Sequence, residues 1–204
     1  MANVGLKRTY LAIIDKETGK ILTGEKGLTD SGLYLSNSKD LGTKSANISN
    51  LATAGTAVYG DDGQVDQTKS KSYPSVQGVW NNLPWDIKAK LTGRTSDGKG
   101  GYVAQMDLPQ VALIVESSTL DRQNSFYYAF QKGDMIETAL NLQTDTNTEQ
   151  RVDDSLTYQS YGVDAWNGQG IKTFYSGDEG FKKDEMLKEV FGGYSDKPSN
   201  PEGE

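Results

Sequence analysis

Val111-Ala112-Leu113-Ile114-Val115-Glu116-Ser117 is the densest apolar stretch of this 204-residue chain. A short, continuous run of this kind reads as a strand buried on both faces. Downstream, a polar turn leads to a strand over 126–131, and Gly133 separates it from another over 135–143. There Ile136, Thr138, Leu140 and Leu142 oppose Met135, Glu137, Ala139 and Asn141, a period of two, and the two strands are expected to form a hairpin at Gly133. Further strands are expected over 156–161 and 171–175, with Asn167-Gly168 as a turn between them. Leu187, Val190 and Phe191 share one face of a helix over 182–191, which Gly192 caps.

Upstream, strand character appears at 10–14, 43–51 and 56–59, with Asp61-Asp62-Gly63 as a turn, and at 76–80, where Val76, Gly78 and Trp80 share a face. Pro84, Asp86, the Ile87/Leu91 pair and Gly93 mark a short helix over 84–92, followed by a flexible loop over 96–101. Residues 19–42 and 60–73 read as long polar loops, and loops of that length are functional or disordered in compact domains. The expected fold is mainly β, a sandwich or partly open barrel with one inserted and one C-terminal helix. Residues 1–192 are expected to form a single domain, and 193–204, rich in Ser, Pro, Gly, Asn and Glu, a disordered tail.

Apolar residues make up 35 % of the chain and glycines number 23, enough to build a core. Lys and Arg total 21 against 28 Asp and Glu, a net charge of −7, and the pI is near 4.7. That balance argues against a protein that grips nucleic-acid phosphates or an anionic membrane surface. The chain has no Cys and no His. Disulfides, thiol nucleophiles, Ser-His-Asp triads and ordinary zinc sites are therefore excluded. No apolar segment of a secretory signal follows Lys7-Arg8, and no run approaches a membrane span, so synthesis in the cytoplasm is expected.

The motifs that suggest chemistry each fail on a specific residue. Gly93 to Lys99 satisfies the glycine–lysine spacing of a phosphate loop, but Gly100 stands where a Mg²⁺-binding Ser or Thr is needed, and the segment follows a helix. Asp145-Thr146-Asn147-Thr148-Glu149 opens like a calcium loop, yet Gln150 replaces the sharp-turn Gly and Leu156 the closing Glu. Glu149, Asp153 and Asp154 are close only in sequence, which is not enough for a carboxylate hydrolase. No catalytic residue, metal or cofactor is expected. Trp80, Trp85 and Trp166 leave open a β-sandwich that binds carbohydrate or a receptor, although core packing explains them more simply.

The order of several segments is distinctive: Asn3-Val4-Gly5-Leu6-Lys7, then Leu83-Pro84-Trp85-Asp86-Ile87-Lys88-Ala89-Lys90-Leu91-Thr92-Gly93, then Asp97-Gly98-Lys99-Gly100-Gly101-Tyr102 ahead of 111–116, and finally 147–158. In that order and spacing the chain resembles the major tail proteins, or tail-tube proteins, of long, flexible-tailed bacteriophages of Gram-positive hosts. The resemblance implies two packed antiparallel sheets flanked by a helix, assembled as hexameric rings. The rings stack into a tube in the virion tail, and genome DNA passes through without specific binding. It further implies a tape-measure protein, a distal tail protein and a tail terminator as partners, and inter-ring contacts from long loops, here 19–42 and 60–73. An acidic conduit repels phosphate, so some of Asp61, Asp62, Asp66, Glu137 and Asp145 are expected to face the lumen. Glu25, Lys26, Asp30, Lys39, Asp40, Arg94 and Arg151 are expected at contacts between subunits or rings.

Overall fold

The computed structural model describes residues 3–68, 70–145 and 150–195. In chain order the strands are β1 (Asn3–Ile14), β2 (Leu33–Leu35), β3 (Thr43–Ser49), β4 (Ala57–Gly60), β5 (Gly63–Gln67), β6 (Ser75–Trp80), β7 (Arg94–Ser96), β8 (Tyr102–Ala104), β9 (Gln110–Thr119), β10 (Ser125–Phe130), β11 (Gly133–Ile136), β12 (Asp154–Ser160) and β13 (Lys172–Tyr175). The helices are α1 (Trp85–Leu91) and α2 (Lys183–Val190). Two antiparallel sheets carry the architecture: a five-stranded one in the order β13-β10-β9-β1-β2, and a four-stranded one in the order β11-β12-β6-β3. The hairpins β4–β5 and β7–β8 stand as separate two-stranded ribbons.

The apolar run of β9 is buried on both faces, as its composition requires. Its alternation divides the interior. Val111, Leu113 and Val115 point with Leu11, Ile13 and Phe130 into the core between the sheets, where they meet Val76, Trp80, Met135, Leu156 and Tyr158, and Ile87 and Leu91 of α1. Ala112 and Ile114 point the other way, with Tyr10, Ala12 and Tyr127, onto Met186, Leu187 and Val190 of α2. Each fully buried side chain of this size contributes about 1.5–3 kcal/mol. Pro84 precedes α1 and Gly93, at φ +63°, follows its C-cap Thr92, as their conformational preferences dictate.

Polar groups join the layers. The Trp80 indole donates to Thr9 Oγ1 across the two sheets at 3.1 Å, and Thr9 Oγ1 shares a 2.8 Å hydrogen bond with Thr43 Oγ1 of β3. Two register shifts interrupt β1, between Val4 and Leu6 and between Leu6 and Arg8. Consecutive residues of a regular strand face opposite ways, but these bulges bring both Lys7 and Arg8 to Glu116, at 2.9 and 3.7 Å.

Five local expectations need correction. Strands β10 and β11 do not form a hairpin: they belong to different sheets, and Gln131-Lys132 carries the chain across. Gly133 permits this because a Cβ there would lie 2.4 Å from the Tyr158 ring and from the Gln159 carbonyl. The strand expected through 143 ends at Ile136, where the Glu137 carboxylate meets Lys88 of α1. Residues 19–42 are not all loop, since β2 pairs with β1, and Leu28, Leu33 and Tyr34 are buried apolar residues that a count of charges and glycines overlooks. Likewise 60–73 contains β5, and the glycine-rich 96–101 is the connection of the β7–β8 hairpin, folded around Asp97, whose carboxylate accepts the Lys99 and Gly101 amides at 2.7 and 2.9 Å. The tail expected from 193 lies, from 196 onward, outside the described residues, as does Glu149.

Candidate functional site

The two sheets differ in what covers them. The five-stranded sheet is packed on both sides, by the inter-sheet core and by α2. The four-stranded sheet turns Val76, Trp80, Leu156, Tyr158 and Met135 inward, and among the described residues no helix packs on its other face. The register places three rows of side chains on that outer face. One row runs Ser49, Ser75, Gln159, Asp134; the next Asn47, Gln77, Thr157, Ile136; the third Ser45, Val79, Ser155. Ten of these eleven are uncharged, and most are small polar residues.

Asp134 supplies the one charge in those rows, and it accepts a hydrogen bond from the Tyr161 hydroxyl. That bond, with some burial, pushes the Tyr161 phenol up to about 12. Lys44 sits at a bulge of β3, where its ammonium meets Asp153 at 2.5 Å. At one end of the face a cleft of about 400 Å³ has Gln77, Val79 and Ser155 on one side and 138–141, Gln143 and 151–153 on the other.

The edges differ as well. Every neighbouring pair in both sheets is antiparallel. Across four strands the direction reverses an odd number of times, so the edge strands β11 and β3 run oppositely. Across five strands the edge strands β13 and β2 run the same way. A copy placed beside this one by rotation alone meets β3 with β11 in the antiparallel sense, whereas the five-stranded sheet would meet its copy in the parallel sense.

The profile of the phage tail tube protein family matches residues 1–199, nearly the whole chain. The chain belongs to that family. No curated protein matches it. Membership gives the tail tube protein a structural role as a virion component that assembles with its own copies and with other tail parts, in agreement with the resemblance read from its segments.

The charged residues singled out in the sequence have different surroundings in this tail tube protein. Asp61 and Asp62 form the β4–β5 turn at positive φ (47° and 63°), flanked by the exposed Val58, Tyr59 and Val65, and Asp66 follows on β5. Asp145 lies on the segment after β11 and accepts the Gln150 amide at 2.8 Å. Glu137 is only 9 % exposed and is held by Lys88 at 2.7 Å and Arg94 at 2.5 Å, so its charge is balanced within the chain. Lys88 also bonds Asp154 at 2.8 Å. Burial alone would lower the Lys88 pKa, but the two carboxylates outweigh it and hold the ammonium above its ordinary value.

Of the residues expected at contacts, Glu25 and Lys26 lie in a 3₁₀ turn, Gly24–Lys26. Asp30 and Lys39 are exposed, and Asp40 accepts the Tyr34 hydroxyl at 2.9 Å. Arg94 lies over the Trp85 ring, 5.4 Å from its centroid, besides pairing with Glu137. Arg151 lines the cleft on the outer face. The three tryptophans share no platform: Trp80 belongs to the inter-sheet core, Trp166 to the α2 layer, and Trp85 alone is exposed. The sequence reading weighed charged residues and so passed over Ser45, Asn47, Gln77, Thr157 and Gln159, which the register gathers on the outer face. Their signal was the uncharged polar phase of strands whose apolar phase was already recognised.

Proposed function

We propose that the tail tube protein closes into hexameric rings through the four-stranded sheet, that the rings stack into the tail tube, and that genome DNA passes along the bare outer face of that sheet. The observation that carries this reading is the pairing of an even-stranded antiparallel sheet with a nearly uncharged outer face that no helix covers among the described residues. Opposite edges let identical neighbours continue one antiparallel ladder, and a closed ladder has no edge left to aggregate. Six copies bring together about 24 strands, more than the 16–18 of barrels that already hold an aqueous channel.

A conduit must not trap its cargo, and phosphate is held chiefly by Lys and Arg. The outer rows offer neither, and their hydroxyls and amides remain hydrated. We assign the lumen to these rows rather than to the acidic residues picked out in the sequence. The β4–β5 hairpin, with exposed Val58, Tyr59 and Val65, and the turns within 19–42 suit contacts between rings. A tape-measure protein inside the growing tube, with a distal tail protein and a terminator at its ends, completes the proposed set of partners.

Negative-stain electron microscopy, with light-scattering mass across a concentration series, tests the reading. Rings or tubes with a central hole and a mass of six chains per ring are expected. Assemblies without a hole, or with their outer surface made from the four-stranded sheet, would refute it.

A further inference from the structure

The two edges proposed to meet are unequal in length. Strand β3 offers seven residues, Thr43–Ser49, whereas β11 offers four, Gly133–Ile136. A full ladder between them requires β11 to grow by at least three residues. The sequence beyond it is suited to that: 136–143 sets Ile136, Leu140 and Leu142 in one phase against Glu137, Asn141 and Gln143 in the other, contains no Pro or Gly, and leaves Thr138, Ala139, Leu140 and Leu142 exposed in the single chain. Its first residue already obeys the alternation, since Ile136 is outward and Glu137 is held inward by Lys88 and Arg94. In the single chain this segment stands against the outer face of the sheet, across the cleft from Gln77, Val79 and Ser155.

We infer that the segment following β11, Glu137 to Asn141, is a strand that forms only between copies: it extends β11, pairs with β3 of a second copy, and in doing so leaves the face it stands against. The deduction rests on the ring reading above. The occupant of the β3 edge is thus a second copy of this chain, presenting a segment whose period matches a ladder and whose Leu140 stays half exposed in the single chain. The Lys88–Glu137–Arg94 cluster fixes the start of the extension, so growth proceeds from an anchored end. Clearing of the conduit face is then coupled to ring closure, because the residues that make the new ladder are those that stood against that face.

Amide hydrogen exchange, measured on the free chain and on tubes assembled in vitro or recovered from tails, tests this directly. In the free chain the amides of 138–141 are expected to exchange freely. In tubes they should slow by about a hundredfold or more, together with the edge-facing amides of β3. Protection of β3 without protection of 138–141 overturns the extension and leaves the ring reading standing, and protection of neither overturns both. Ala139→Pro gives a second measure, since proline removes a ladder donor. Residue 139 is exposed, so the variant chain should unfold at the same temperature as wild type. It should need at least about tenfold more protein to assemble, whereas Ala139→Ser should assemble normally. Wild-type assembly by Ala139→Pro would overturn the inference.

Discussion

The five-stranded sheet completes itself within one chain, and the four-stranded sheet does not. On the first, even a charged group is satisfied internally: Glu116, 2 % exposed, accepts Tyr10 Oη at 2.7 Å and Ser125 Oγ at 3.0 Å and pairs with Lys7. On the second, one face has no helical cover among the described residues and its side chains are almost all neutral. The difference separates two design tasks. Groups that hold the chain together are buried and paired, while the face proposed for the conduit carries little charge to be desolvated or to attract phosphate.

This division can be broken or sharpened by substitution. The largest effect should come from the core that both sheets share. Phe130→Ala removes a fully buried ring that packs edge-on against Tyr158 at 5.7 Å, and urea unfolding should show a loss of about 3–5 kcal/mol. Next comes Lys88→Ala, which leaves Glu137 and Asp154 short of a buried cation and should cost about 3 kcal/mol by the same measurement. It should also raise the protein concentration needed for assembly, because the start of the segment after β11 loses its anchor.

Glu116→Gln should cost less, about 1–2 kcal/mol, and should change the pH dependence of stability. Burial alone would raise the Glu116 pKa, but hydrogen bonds from Tyr10, Lys7 and Ser125 outweigh it and hold the carboxyl below its ordinary value of 4.5. A depressed folded-state pKa gives stability that is complete above the unfolded value and is lost as pH falls through the folded one. Thermal unfolding of wild type should therefore weaken on acidification below about pH 4.5, and the Gln variant should weaken less over the same range. The smallest effect on stability, within about 0.5 kcal/mol, is expected for Gln77→Lys with Thr157→Lys on the bare face. Tubes of that double variant should nevertheless retain DNA in a salt-dependent manner, read by filter binding at low and high ionic strength.

Elements with local signals were legible in the sequence. The apolar run of β9, the Pro84 and Gly93 boundaries of α1 and the apolar face of α2 each depend on a few neighbouring residues. What could not be read depends on distant partners. The step from β10 to β11 has the same polar and glycine residues whether the strands form a hairpin or cross between sheets, and only the packing of Tyr158 against Gly133 decides it. The role of Glu137 depends on Lys88, 49 positions earlier in the chain, and charge alone made it a lumen candidate. The fold class was thus available from pattern. The outer face proposed as the conduit required the register of β3, β6, β12 and β11, which no single segment contains.

The opposed edges of the four-stranded sheet also have a mechanical consequence. In a closed ring the ladder hydrogen bonds run around the circumference, so pressure from within loads them as hoop tension. An open sheet unzips from its free edge, one bond at a time. A closed one has no end from which to start, and bursting the wall requires many bonds to fail together.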